Sequence, residues 1–364
     1  MIPVTKSFLP PMEEYIKYLE RIWQSGVLTN NGQLLQELEN KLKKYLDVQY
    51  FQILSNGTIA LQLAINSLGI ENGEIITTPF SFVATTTSIL WEKCTPVFVD
   101  INQNTLCIDE NKIEDKITKN TKAILAVHVY GYPCNVDKIE KIAKKYNLKV
   151  IYDGAHAFGS KFKGKSLLSY GDITTCSFHA TKLFHCVEGG ACIANNKEID
   201  EKINFLKKFG YENDDYRCCG INAKNSEFHS AMGLANIKYI DNILKERKKI
   251  CTSYDKYLKG FVTRPIQPKD LEYNYIYYPV IFKSEEELIK VDKALKEKDI
   301  FIRRYFYPSL NELPYLSKKD ACPVSEDISR RIACLPLYVG LDEKNIKEIC
   351  NTIKQVVVKE GFGE

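Results

Sequence analysis

Three short stretches of this 364-residue chain combine residue types that could do chemistry. The first, Ser55-Asn56-Gly57-Thr58, follows the apolar run FQIL (51–54) and precedes a helical pattern that begins near Thr58. A strand end turning into a helix N-terminus offers free amides and the positive end of the helix dipole, which suits a phosphate. Gly57 allows close backbone approach and the Thr58 hydroxyl adds a bond, although Asn-Gly before a helix is equally an ordinary turn. No Walker pattern or GxGxxG accompanies it, which argues against nucleoside triphosphates and dinucleotides. The second stretch, VIYDGAHAFGS (150–160), closes an apolar run on Asp153, and His156 follows three residues later. A carboxylate there must be paired or solvated at a functional cleft, or else cap the next helix. The third, TTCSFHATKLFHCVEGG (174–190), places Lys182 in a loop beyond a buried-looking strand that ends at Ser177-Phe178. A lysine between apolar strands usually snorkels to the surface. A desolvated one instead becomes a nucleophile toward carbonyls. A phosphate cradle, a strand-end aspartate and a loop lysine are together the three parts that pyridoxal phosphate requires. The lysine joins its aldehyde and the carboxylate partners its pyridinium nitrogen.

Other reactive residues read as structural. Twelve cysteines include no CxxC pair, and most, such as Cys94, Cys176, Cys192 and Cys334, lie in apolar runs. That pattern predicts reduced thiols acting as small hydrophobes in a reducing cytosol. The spacing of His179, His185 and Cys186 matches neither a zinc finger nor HExxH, so no metal is expected. All five histidines fall in the central third, the last in CGINAKNSEFHSAMGLANI (219–237), a loop entering a helix.

The elements that must position these residues alternate. Ile16, Leu19 and Trp23 fall on one face of a helix over 12–24, and Leu35, Leu38, Leu42 and Leu46 mark another over 33–46. A third carries Leu61, Ala64, Ile65 and Leu68, and a fourth Ile139, Ile142, Ala143 and Tyr146. Between the helical patterns lie β-rich runs at 75–78, 97–100, 123–130, 150–153, 174–178 and 190–194. Alternation of this kind implies a mainly parallel sheet covered on both faces, with ligands outside its carboxyl edge. Past about residue 245 the texture changes to a lysine-rich helix, the strand-like IYYPVIF, a helix over 285–298, a strand IFIRRYF and a closing helix carrying Ile346, Ile349 and Ile353. Two domains follow, 1–245 and 246–364, the second a smaller α+β unit.

Composition bounds the function. Lys plus Arg number 50 against 46 Asp plus Glu, a net charge of +4, which gives no electrostatic case for binding nucleic acid or a membrane surface. No apolar run approaches the ~20 residues that cross a bilayer, and MIPVTKSFLPP lacks a secretory pattern, so a soluble cytoplasmic protein is expected.

The motifs, taken in order, resemble the DegT/StrS family of pyridoxal-phosphate-dependent sugar-nucleotide aminotransferases of fold type I. SGVLTNNGQLLQELENKLKKYL is similar to the family's entrance segment and SNGTIALQLAI to its phosphate loop. TTPFSFVATTTSILWEKCTPVFVDI, VHVYGYPCNVDKI, YDGAHAFGS, SFHATKLFHCVEGG and CLPLYVGL follow in the family's order. The resemblance implies that Lys182 carries the cofactor and moves protons, that Asp153 partners the pyridinium, and that His156 lies near the ring hydroxyl. It implies phosphate contacts from Gly57, Thr58 and Ser177 and stacking on the ring by Phe82. It also implies that Asn222 reaches the phosphate from the partner subunit of a homodimer. Gly154 stands where relatives often have Ala, and Lys224-Asn225 where Arg-Met is more usual. The implied reaction takes an amino group from glutamate to a keto sugar on a nucleotide. The motifs look most like enzymes making dTDP-4-amino-4,6-dideoxyglucose for a surface glycan such as lipopolysaccharide O-antigen. GDP- or UDP-linked 4-keto sugars and 3-keto sugars remain open, as does a catalytically silent regulatory homologue. A nucleotide diphosphate needs cationic donors at the cleft mouth, for which Lys224, Arg303 and Arg304 are candidates.

Overall fold

Seven short apolar runs form one sheet in the computed structural model, which describes residues 1–317 and 319–360. They are Tyr50–Leu54 (β1), Glu74–Thr77 (β2), Thr95–Phe98 (β3), Thr121–Val127 (β4), Lys149–Asp153 (β5), Ile173–Ser177 (β6) and Gly190–Ala194 (β7). Their order across the sheet is β1-β7-β6-β5-β4-β2-β3. Pairings from β6 through β3 are parallel, and β7 runs antiparallel to both β6 and β1. Because β7 alone is reversed, β1 points the same way as the other five. The carboxyl ends of six strands and the start of β7 therefore meet along one edge.

Helices cover both faces. Met12–Ser25 (α1) and Gln33–Leu46 (α2) precede the sheet; Gly57–Ser67 (α3), Val83–Trp91 (α4) and Val136–Tyr146 (α5) are crossovers between its strands. Lys197–Leu206 (α6) and Glu227–Asn236 (α7) follow β7. Residues of β4 alternate between faces as the pleat requires: Ala123 and Leu125 pack with Leu61 and Ile65 of α3, whereas Ile124 and Ala126 join Ile139 and Ile142 of α5. Five leucines of α2 are buried, each worth about 2 kcal/mol of burial. The N-terminus of α2 is capped from a distance, since the Glu227 carboxylate accepts the Leu34 and Leu35 amides at 2.8 and 2.9 Å.

In α1 the structure departs from the expected face. Tyr18 and Ile22 point inward against α7, while Ile16 is 38% and Trp23 73% exposed. The helix carries two apolar stripes one residue apart, Tyr15/Tyr18/Ile22 and Ile16/Leu19/Trp23, and packing buries the first.

The expected boundary at 245/246 falls within the helix Ile240–Leu258 (α8). Beyond it, a separate core of buried residues is drawn wholly from positions 250–357. Beyond the boundary lie Pro279–Ile281 (β8), Glu285–Lys296 (α9), Pro323–Arg331 (α10), Ile332–Cys334 (β9) and Glu343–Glu360 (α11), with β8 and β9 antiparallel; Ile328 of α10 packs instead into the core of the large sheet. The strand expected at 300–306 is not continuous. Ile300 bridges Ile2 and Arg303 bridges Cys334, isolated bridges to two unrelated partners, and the chain turns at Tyr305–Phe306. All twelve cysteines are free thiols, with only Cys218 and Cys219 exposed. No described helix is long and apolar enough to cross a membrane.

Candidate active site

Where the strands end, the sheet opens into a cavity of about 290 Å³. Gly57, Thr58, Phe82, Asp153, His156, Ser177 and Lys182 all line it; Asn222 does not. Residues separated by 125 positions thus share one space because their strands stop at one edge.

The phosphate-cradle expectation has a concrete local structure. Asn56 caps α3 by accepting the Ile59 amide at 2.9 Å, leaving the Gly57 and Thr58 amides as first-turn donors. Ser177, at the end of β6, lies directly against this turn: a Cβ on Gly57 would sit 3.0 Å from the Ser177 Cβ. Gly190, at the start of β7, supports it from behind, where a Cβ would come within 2.4 Å of the Asn56 carbonyl. Helix amides, a dipole and two hydroxyls around a space kept free of side chains fit a phosphate group.

At the centre, Asp153 is 6% exposed. Its carboxylate accepts the Ala155 amide at 3.0 Å and the Thr85 hydroxyl at 2.8 Å. The Thr85 oxygen is in turn 2.7 Å from the Ser81 hydroxyl, so the chain of donors runs Ser81 to Thr85 to Asp153. No helix follows Asp153, so the capping alternative does not apply. Burial raises the carboxyl's pKa, and the Ala155 amide, the Thr85 hydroxyl and the Lys182 charge only partly offset it. A buried carboxylate held by donors yet short of a full counter-charge fits a cationic ring N–H.

His156 is buried and kept neutral, its pKa pulled well down by burial and then by the Lys182 charge. Its Nδ1 accepts the Tyr130 amide at 3.3 Å, and its ring stacks on Phe306 at 5.6 Å. Lys182 sits in a turn after β6, where its backbone amide donates a hydrogen bond to the His179 carbonyl at 2.9 Å. Burial pushes the neighbouring Cys176 thiol up to about 12, which removes it as a rival nucleophile. The residues present thus fit pyridoxal phosphate, with Lys182 to join it, Asp153 for its ring nitrogen and the α3 turn for its phosphate.

Of the three cations expected at the mouth, only Arg303 lines the cavity. Arg304 points away, paired with Glu285 at 2.5 Å and stacked over Tyr307. Lys224 donates to the Asn222 side chain at 2.7 Å and lies over Phe209. The Ser81–Thr85 relay and the Tyr305–Phe306 wall escape a reading by strand ends. The first is signalled by two hydroxyls four residues apart at a helix start, a common pattern; the second comes from the C-terminal region and has no local signature.

Residues 11–354 match the sequence profile of the DegT/DnrJ/EryC1/StrS aminotransferase family. The chain belongs to that family. Within the DegT/DnrJ/EryC1/StrS group it is 43% identical to a dTDP-4-amino-4,6-dideoxy-D-glucose transaminase of Shigella dysenteriae, covering 97% of this chain and 98% of the relative. It is 33% identical to a GDP-perosamine synthase of Escherichia coli O157:H7, over 97% of this chain and 98% of the relative. The fold is similar to that of DesI, solved in the presence of its TDP-sugar product, with a TM-score of 0.94, 27% identity and coverage of 99% of this chain and 93% of DesI. The fold is thus the α/β fold of the sugar aminotransferases, a mainly parallel mixed sheet between helices.

Proposed function

We propose that this protein is a pyridoxal-phosphate-dependent aminotransferase acting on a nucleotide-linked sugar. It moves an amino group from glutamate to the C4 ketone of dTDP-4-keto-6-deoxyglucose. The product, dTDP-4-amino-4,6-dideoxyglucose, feeds a surface polysaccharide such as O-antigen, and the reaction belongs in the cytoplasm. The observation that carries this reading is the meeting of Lys182, buried Asp153 and the Gly57–Thr58–Ser177 cradle in one cavity.

Pyridoxal phosphate bound there supplies an electron sink for the carbanion formed at the substrate carbon. Asp153 holds the proton on the ring nitrogen, and Ser81 and Thr85 fix the carboxylate's orientation. His156, neutral and stacked on Phe306, would hold the side of the ring that carries the hydroxyl, and Phe82 would stack on the ring's face. Gly57, Thr58 and Ser177 bind the phosphate. Lys182 Nζ takes the proton from the donor's α-carbon and in the second half-reaction moves one to the sugar C4. The higher identity to the dTDP-sugar relative than to the GDP-sugar one supports the choice of nucleotide. Asn222 lies outside the cavity of its own chain, which agrees with a homodimer in which it completes the neighbouring site.

Two measurements test the reading. Excess glutamate should bleach the visible absorbance of the lysine-bound cofactor, and Lys182→Ala should lack that absorbance from the outset; a band surviving in the variant removes Lys182 from the role. Offering dTDP-, UDP- and GDP-linked keto sugars with glutamate, followed by NMR of the product, should give an equatorial C4 amine on the dTDP sugar. Amination at C3, or turnover only with the other nucleotides, overturns the substrate and leaves the cofactor chemistry standing.

A further inference from the structure

Ping-pong transamination passes two unlike substrates through one cavity, and both are anions. Among the described residues lining that cavity, the side chains with a fixed positive charge are Lys182 and Arg303. Lys182 is committed to the cofactor, so among these described lining residues Arg303 is the fixed cation left for a substrate anion. Its position is built rather than incidental. The Arg303 amide donates to the Cys334 carbonyl at 3.2 Å and the Cys334 amide returns a bond at 2.9 Å. Arg303 and Tyr305 both line the cavity, whereas Arg304 between them does not. Arg304 is accordingly spent on Glu285 and the Arg330 carbonyl, while the Arg303 guanidinium lies 4.6 Å from the Tyr305 ring centroid.

Tyr305 sets the distance from the chemistry. Its ring centroid is 6.5 Å from that of Phe82 and 5.8 Å from that of His156. Arg303 thus joins the cavity wall at Tyr305, the aromatic layer that adjoins Phe82 and His156. An anion attached directly to the reacting carbon belongs nearer the centre, whereas one several bonds away reaches this layer. Both substrates carry such a group. The side-chain carboxylate of glutamate is three bonds from its reacting carbon. In a 4-keto sugar nucleotide the ring places C1, and the diphosphate on it, across from C4. Glu188 also lines the cavity, with His179 3.6 Å away, so the mouth has one acidic side from which both anions are repelled.

We infer that Arg303 is a shared specificity residue, which binds the side-chain carboxylate of the amino donor in one half-reaction and the diphosphate of the sugar nucleotide in the other. A planar guanidinium fork accepts carboxylate and phosphate alike through paired charge-assisted bonds. The inference rests on the aminotransferase reading and adds to it a reason for choosing glutamate over an uncharged amino acid.

The test is the donor half-reaction of the purified holoenzyme, followed by bleaching of the cofactor absorbance at varied glutamate and varied L-alanine, in wild type, Arg303→Gln and Arg303→Lys. A second readout is the binding of dTDP, measured directly by calorimetry. In Arg303→Gln the efficiency with glutamate should fall about 10- to 100-fold and dTDP affinity by a similar factor, as expected for loss of a charge-assisted pair. The cofactor spectrum and the alanine rate should stay within twofold, and Arg303→Lys should recover part of both losses. Glutamate and dTDP affinities within twofold of wild type overturn the inference, as does an equal loss with alanine, which would mark general damage. Loss of one anion only refutes sharing. If wild type itself fails to bleach with glutamate, the aminotransferase reading fails instead.

Discussion

Asp153 holds a charge in a place that penalises charge. Two donors and a nearby ammonium stabilise its carboxylate, but burial is the larger influence and the pKa is raised above the ordinary carboxylate value. In the cofactor-free protein this group therefore works against stability once ionised. The sign follows from linkage: a carboxyl whose pKa is higher folded than unfolded costs stability as pH rises from its unfolded value, near 3.8, through its folded one. Asp153→Asn removes that cost and keeps the shape. Its amide can donate to Thr85, whose hydroxyl then turns toward Ser81. Without cofactor, Asp153→Asn should melt at or above the wild-type temperature at pH 8, and this advantage should shrink as pH falls toward 4. With cofactor, the same variant should lose activity by orders of magnitude, since the charge that stabilises each carbanionic state is gone. Thermal melts across pH and a steady-state assay check the two halves. Activity within a few-fold of wild type would remove Asp153 from the pyridinium role.

The cradle is a property of three elements rather than one residue. The start of β7 passes so close to the first turn of α3 that Gly190 has no room for a methyl group; its nearest neighbours would be backbone atoms of Asn56 and Gly57. Gly190→Ala must displace the α3 N-terminus, an overpacking cost of about 1–3 kcal/mol, and with it the amides that face the phosphate. Equilibrium titration with pyridoxal phosphate should show at least tenfold weaker binding, alongside a lower melting temperature. Unchanged cofactor affinity would show that these amides do not hold the phosphate. This close approach also marks what sequence could and could not reveal. Lys182, Asp153 and Gly57 are legible because each follows an apolar run, and a parallel sheet brings strand ends to one edge. The direction of β7 is not legible, since GACIA is the same short run read either way. Nor is the inward face of α1, where two apolar stripes satisfy the same periodicity. Arg303 and Arg304 are adjacent and chemically identical; only the bridge to Cys334 separates the one in the cavity from the one bound to Glu285.

At the scale of the whole molecule, the proposed homodimer makes a claim about which chain supplies which residue. Lys182 and Asn222 belong to one polypeptide, yet only Lys182 lines that polypeptide's cavity, and the segment carrying Asn222 lies outside it. That segment is held to the body by the backbone bridge between Lys208 and Asn222 and by the Ala223 amide on the Lys207 carbonyl. Phe209, Tyr211, Tyr216 and Ile221, on or close to this segment, are exposed. If Asn222 completes the partner's site, Lys182→Ala and Asn222→Ala damage different halves of a shared centre. Each homodimer should be impaired, the first fully and the second in cofactor binding. In a mixed dimer the lysine of the Asn222→Ala chain meets the asparagine of the Lys182→Ala chain, and one site of the two is whole. Mixing equal amounts after mild dissociation places half of the chains in such dimers, so activity should return to about a quarter of wild type, as two-fold symmetry requires. Activity no higher than the average of the two separate variants would show that Asn222 serves its own chain or none.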